Sequence, residues 1–222
     1  MKPALVVLGF LAGLAGARAA QAQAFSRLDP GEQTLTVETG LQSGVVTSIG
    51  YAAGLRVDAI DRTLMPFAQA TLVAARPDLH DDAFAAGAQV SLLHAGWFDL
   101  AGQLAFEVAG TQNSIYSGTA LRTDLALLAG HHGRRWFLLG EAGYDRAWLT
   151  HITNSDWYRA NFYSGAQDGW YSGTGGTLHA GIKGGGRLGA VELVARAGVT
   201  QSETLNNLDL PFYATLGANY RF

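Results

Sequence analysis

The sequence predicts an all-β protein, a ten-stranded antiparallel transmembrane β-barrel, with eight and twelve strands as the alternatives. Three observations carry this. Apolar residues recur at every second position over most of the chain from residue 33 onward, the period of a strand with one face buried. The alternating segments run about 10 to 14 residues, well past the usual strand of five or six and enough for a tilted strand to cross a bilayer. The connections alternate between tight turns and longer polar loops, the asymmetry of a barrel inserted from one side.

Composition narrows the class further. The 222 residues include 29 glycines, 5 prolines and no cysteine, and the formal net charge is −3. An acidic balance excludes a nucleic-acid binder of the basic type. The absence of cysteine excludes disulfides, thiolate metal sites, cysteine catalysis and lipid attachment through a thiol.

Residues 1–24 read as a secretory signal peptide. Lys2 supplies the basic start, an apolar run follows from Ala4 to Ala17, and Ala22-Gln23-Ala24 fits the small-residue cleavage rule, which places cleavage near Ala24. The run is about 14 residues, short of the roughly 20 that a spanning helix needs. Losing Lys2 and Arg18 takes the net charge from −3 to −5. Residues 25–32 form an N-terminal lead-in, and 33–222 form the barrel.

The ten strands fall at about 33–42, 44–57, 63–74, 83–93, 97–109, 119–130, 135–148, 173–184, 189–200 and 211–222. The fifth is the clearest: Phe98, Leu100, Gly102, Leu104, Phe106 and Val108 alternate with Asp99, Ala101, Gln103, Ala105, Glu107 and Ala109. The third reads poorly, because Phe67 and Leu72 both want the apolar face and lie an odd number apart. Turns after the second, fourth, sixth and eighth strands are short. Those after the third, fifth, seventh and ninth are longer, and the longest spans 149–172. Trp97, Phe98, Trp136, Tyr220 and Phe222 are expected at the rim of the short turns, and Phe106, Trp148 and Phe212 toward the other rim, as two interfacial girdles.

The chain ends in Phe222, with Tyr220 two residues before it and Ala218, Leu216, Ala214 and Phe212 at the earlier alternate positions. This strand resembles the carboxy-terminal strand of bacterial outer-membrane β-barrel proteins. The resemblance implies that Tyr220 and Phe222 form an assembly signal, read by the barrel-assembly machinery. It also implies a Gram-negative cell outer membrane as the location and its lipid as a partner. It is nearly silent on activity, since such barrels host many functions.

If apolar faces point outward, the inward face holds Glu38, Arg56, Glu107, Arg122, Asp124, Glu141, Asp145, His179, Lys183, Glu192, Arg196 and Arg221. Small barrels are filled by side chains, and buried charges must be paired, so a lumen network of ion pairs is expected. The alternative is a polar track for a small solute. His179, near Glu141 and Asp145 if the strands carrying them pair, is the one candidate general base, with Ser172 and Ser202 as nucleophiles by number alone. No catalytic residue is assigned. His80-Asp81-Asp82 is a lone cluster without a second ligand set, so no metal and no cofactor is assigned. The turn His131-His132-Gly133-Arg134-Arg135 is basic and expected to be solvated or to meet anionic lipid.

The stretch 149–172 concentrates Trp157, Tyr158, Phe162, Tyr163, Trp170 and Tyr171 beside Arg159 and several amides. Either its rings pack over the barrel mouth as a lid, or Trp157, Tyr158, Arg159, Tyr163, Trp170 and Tyr171 form a ligand site, for a small solute or a glycan. The expected function is therefore non-enzymatic, in solute passage or surface binding. The alternative is a hydrolase acting on lipid, peptide or glycan.

Overall fold

Strand alternation sends successive side chains to opposite faces, and in this protein the face turned away from the interior is the apolar one. The computed structural model describes residues 26–42, 44–73, 82–203 and 211–222. The segment 1–24, expected from sequence to be a signal peptide, and the His80-Asp81 part of the acidic loop lie outside these residues. In chain order the elements are β1 (Gln33–Leu41), β2 (Val45–Ala53), β3 (Leu55–Val57), β4 (Arg62–Val73), β5 (Ala83–Ala95), β6 (Phe98–Gln112), β7 (Tyr116–His132), β8 (Trp136–Asn154), the short helix α1 (Asp156–Asn161), β9 (Gly169–Leu188), β10 (Val191–Ser202) and β11 (Phe212–Arg221).

Every neighbouring pair is antiparallel. β1 pairs with both β2 and β11, and β2 pairs with β4, which closes the sheet on itself. β3 continues β2 beyond Gly54 along the same partner, so the wall has the expected ten strands. Closure leaves no sheet edge unpaired.

The interruption at Gly54 has a steric cause. A Cβ there would lie 2.2 Å from the Asp29 carbonyl oxygen, because the lead-in crosses the wall at this point. The lead-in is fastened by backbone bonds from Gly31 N to Gly54 O and from Gly54 N to Glu32 O. Beyond Gly54 the alternation lapses. Arg56, expected to face inward, is exposed at the rim, where it pairs with Asp58 at 3.2 Å and Asp61 at 3.0 Å around a tight turn.

The outer wall carries Leu35, Val37, Ile49, Phe84, Leu104, Phe106, Leu125, Leu127, Leu138, Leu178, Ile182, Leu193 and Leu216, all exposed. Trp97, Trp136, Tyr220 and Phe222 are exposed at the short-turn rim, and Phe106, Trp148 and Phe212 toward the other. The Trp148 indole donates to Thr123 Oγ1 at 2.8 Å, and the Arg146 guanidinium lies 5.2 Å from its ring centroid.

The Phe67–Leu72 conflict resolves by placing them on opposite faces. Leu72 is exposed, while Phe67 is buried inside with Leu28, Ala52, Met65 and Ala105. Leu128, Phe137, Leu139 and Val194 form a second apolar cluster. Hydrocarbon, part of it supplied by the lead-in, thus packs part of the lumen toward the short turns.

β8 and β9 depart furthest from expectation. They run 19 and 20 residues and stay paired out to Ile152 and Gly169. The connection expected over 149–172 shrinks to residues 155–168, and Trp170 and Tyr171 belong to β9. From Trp148 at the girdle to Asn154, the hairpin extends about 20 Å further along its strands, at roughly 3.3 Å per residue. The connection after β6, expected to be long, is a tight turn over 113–115, closed by Asn113 Oδ1 accepting from the Ile115 and Tyr116 amides at 2.8 and 3.0 Å.

Candidate functional site

Of the twelve charged residues expected inside, all except Arg56 are buried. They sort into layers along the barrel. Nearest the short turns, Arg221 donates to Glu192 Oε2 at 2.5 Å and also to Ser26 Oγ. Glu192 accepts from Asn219 Nδ2 at 2.9 Å, and Asn219 accepts from Thr36 Oγ1 at 2.7 Å. These last three lie in one register row across β10, β11 and β1.

The middle layer is built around Glu141. Arg196 Nε donates to Glu141 Oε1 at 2.6 Å, and the Tyr213 hydroxyl donates to the same oxygen. The guanidinium lies 4.7 Å from the Tyr213 ring centroid. Lys183 sits in the field of Glu141, Glu38 and Glu192. Tyr213 is 1% exposed, which makes it a full member of the lumen. Its position was readable from sequence, since it falls between outward Phe212 and Ala214.

The third layer holds Arg122 on Asp145, with Nε to Oδ1 at 3.0 Å, and Glu107 opposite Arg122 in register. His179 Nε2 lies 3.0 Å from Asp124 Oδ1 on β7. The expectation that Glu141 or Asp145 would orient His179 is corrected here. Gly143 is the residue opposite His179 on β8, and the imidazole passes over it, within 2.3 Å of where a Cβ would be, to reach the next strand. No described side chain bonds His179 Nδ1, and Ser172 is exposed.

A buried ion pair is stable only if its remaining polar atoms are also satisfied. These layers meet that demand in part: Glu141 and Glu192 are each shared between two donor residues, while Glu38 Oε2, His179 Nδ1, Arg196 Nη1 and Arg221 Nε have no hydrogen-bond partner among the described residues. The layers cross-link the walls and occupy the lumen, with the lead-in below them. There Arg27 Nη1 donates to Asp99 Oδ1 at 3.1 Å, and His94 Nδ1 lies 2.7 Å from the same oxygen. Ser26 and Leu28 are buried. The aperiodic lead-in carried no sequence signal for this position.

At the other end, the β8–β9 hairpin is a built structure. Ser155 caps α1, its Oγ accepting from Tyr158 N at 3.1 Å and donating to Ser114 O at 2.7 Å. Asp168 Oδ1 accepts from Asn154 N at 2.8 Å, Asn154 Nδ2 at 3.1 Å and Arg159 Nη2 at 2.6 Å. The Asn154 amide and the Arg159 guanidinium hold the Asp168 carboxyl below the ordinary aspartate range. The Tyr171 hydroxyl donates to Gln167 O at 2.7 Å.

These bonds commit Arg159 and Tyr171, named as ligand residues from sequence, to holding the tip together. Tyr158 is buried, stacked 6.0 Å from Phe162. Trp157, Phe162, Tyr163 and Trp170 stay exposed. Trp157 meets Phe162 at 5.1 Å, and Trp170 meets His151 at 5.1 Å. Self-packing as a lid would have buried these rings, and only Tyr158 follows it.

Among solved structures, the chain aligns with CdiB from Acinetobacter baumannii at 14% identity and a TM-score of 0.35, over 80% of this chain and 33% of that one. It aligns with KdgM porin at 8% identity and a TM-score of 0.35, over 85% of this chain and 99% of that one. The chain thus spans about a third of the length of CdiB. No protein-family model and no curated protein matches it.

Proposed function

We propose that the chain is a small, non-enzymatic outer-membrane β-barrel with a closed lumen, which presents its β8–β9 hairpin as a binding surface for a glycan or small solute. The observation that carries this reading is the polarity of the wall: Leu, Ile, Val and Phe outward, ion pairs inward. A barrel dissolved in water would reverse that distribution, whereas hydrocarbon solvates it. The paired rings of Trp and Tyr match the two interfaces. On this reading the short turns face the periplasm and the hairpin stands outside the cell.

Closure is supported by the shared carboxylates of the lumen and by Leu28 packed against Met65 and Phe67. Passage through the centre would require separating buried charges, at several kcal/mol for each pair. Surface binding is supported by four exposed rings held on a capped, hydrogen-bonded tip. Planar apolar faces beside amides and carboxylates suit sugar rings, which offer C–H faces and hydroxyl edges.

Fractionation and electrophoresis test the membrane reading: the protein is expected with the outer membrane and migrates differently when unheated. Recovery in the soluble periplasm overturns it. Planar-bilayer recordings test closure, with no steady conductance expected, and a stable open channel overturns that part alone.

A further inference from the structure

The short-turn mouth contains a cavity of about 580 Å³ that extends outward from the Glu192–Arg221 layer to the exposed turn at Arg134 and Arg135. Its lining includes Arg27, Arg134, Arg135, Arg187, Arg221 and His132. Three of these cations are already matched, Arg27 by Asp99 at 3.1 Å, Arg187 by Glu32 at 3.5 Å and Arg221 by Glu192 at 2.5 Å. Arg134 and Arg135 form no ion pair with any described residue, and they are adjacent on one exposed turn. The turn is closed by Gly133 N donating to Trp136 O at 2.9 Å, and Arg187 N donates to Arg135 O at 2.8 Å, which brings a third guanidinium-bearing strand alongside. The carboxylates on the lining are Asp29 and Glu192; Glu192 is held by Arg221 and Asn219, and Asp29 lies 3.8 Å from Arg27.

Two adjacent unmatched guanidinium groups repel each other, and here they do so in a chain whose net charge is −3. A further polar atom points the same way. His132 Nε2 is buried on this lining and has no hydrogen-bond partner among the described residues. The cations are arginines, and a guanidinium offers a planar fork of donors matched to two oxygens of one anion.

We propose that this cavity is a binding site for a phosphate oxyanion, held chiefly by Arg134 and Arg135, with His132 Nε2 available as a donor when that nitrogen carries the imidazole proton. The volume is that of a small-molecule site. A free phosphorylated compound and the phosphate of a membrane lipid share this chemistry. The site is independent of the hairpin, so its failure leaves the binding role proposed above untouched, and the reverse holds as well.

Inorganic pyrophosphate is the probe, titrated calorimetrically into the folded barrel in detergent. Saturable binding at one site is expected, weakening as salt rises. Replacing Arg134→Ala together with Arg135→Ala removes charge-assisted bonds and is expected to weaken binding by about tenfold or more. Both residues are exposed on a turn, and unaltered heat-modifiable migration verifies that the variant folds. The same titration in phosphatidylcholine vesicles, with and without phosphatidylglycerol, identifies the source. Competition by phosphatidylglycerol assigns the site to lipid phosphate, and its absence assigns it to a free compound. Lack of saturable binding in detergent and in both vesicles overturns the proposal, as does a double variant that binds like the wild type.

Discussion

The Tyr213 hydroxyl on β11 donates to the Glu141 carboxylate on β8, across the full width of β10 and β9. The four residues Tyr213, Gly198, Gly181 and Glu141 stand in one register row. The two central glycines leave a trough in which the ring lies. A Cβ on either would stand 2.3 Å from the Tyr213 hydroxyl oxygen. Gly181→Ala or Gly198→Ala is therefore expected to displace the ring and destabilise the barrel by about 1–3 kcal/mol, the range of overpacking. Urea unfolding in lipid vesicles measures it. Wild-type stability in both variants means the ring does not occupy the trough.

Glu141 is the acceptor for both Tyr213 and Arg196. Glu141→Ala leaves a buried guanidinium without its counter-charge, and Arg196→Ala does the same to the carboxylate. Each is expected to cost about 3–5 kcal/mol. The double variant is expected to cost less than the sum of the two, because the second removal relieves the charge stranded by the first. Additive losses of a few tenths would show that water reaches this layer.

The hairpin tip gives a separation between structure and binding. Trp157→Ala, Phe162→Ala and Trp170→Ala remove exposed rings and are expected to leave the unfolding transition in place. Each is expected to weaken binding of a recognised oligosaccharide about fivefold, roughly 1 kcal/mol per ring. Tyr158→Ala removes a buried ring and is expected to loosen the tip itself, read as faster surface proteolysis. If the three exposed-ring variants bind as wild type does, the surface is elsewhere.

Asp168 ties Asn154 to Arg159 as a carboxylate. Its folded value lies below the ordinary 3.8. The tie is fully present above 3.8 and is lost as the pH falls through the lower folded value. Protease sensitivity at residues 155–168 is thus expected to stay flat down to about pH 4 and to rise below it in an acid-active protease assay. Asp168→Asn is expected to show the raised sensitivity at every pH. An acid-independent profile in both proteins would remove Asp168 from that role.

The final strand leads to an assembly prediction. Phe222 stacks 6.1 Å from Tyr220 on the outer wall, and its amide bonds Gln33 O on β1 at 3.0 Å. Replacing Phe222→Asp is expected to reduce the amount of folded barrel in the membrane severalfold, measured by quantitative blotting of unheated samples. Unchanged levels would show that the terminal ring is dispensable for assembly.

Sequence alone determined the wall. Alternation is a local property, so the parity that sends Leu127 outward sends Asp124 inward, whatever the rest of the chain does. The ten strands, the girdles and eleven of the twelve inward charges followed from it. Parity failed at Arg56, beyond a glycine whose role depends on Asp29 passing across it. The tertiary structure decided the partners. Which charge meets which depends on how neighbouring strands are staggered and how the sheet closes. Thus His179 finds Asp124 over Gly143, and Tyr213 finds Glu141 over two glycines. It also decided the length of the hairpin, because Thr, Gly and aromatic residues are compatible with strand or loop until a partner strand supplies hydrogen bonds. The lead-in has no period to read, and its place in the lumen is set by Asp99, Arg221 and an apolar hollow that exist only once the barrel is closed.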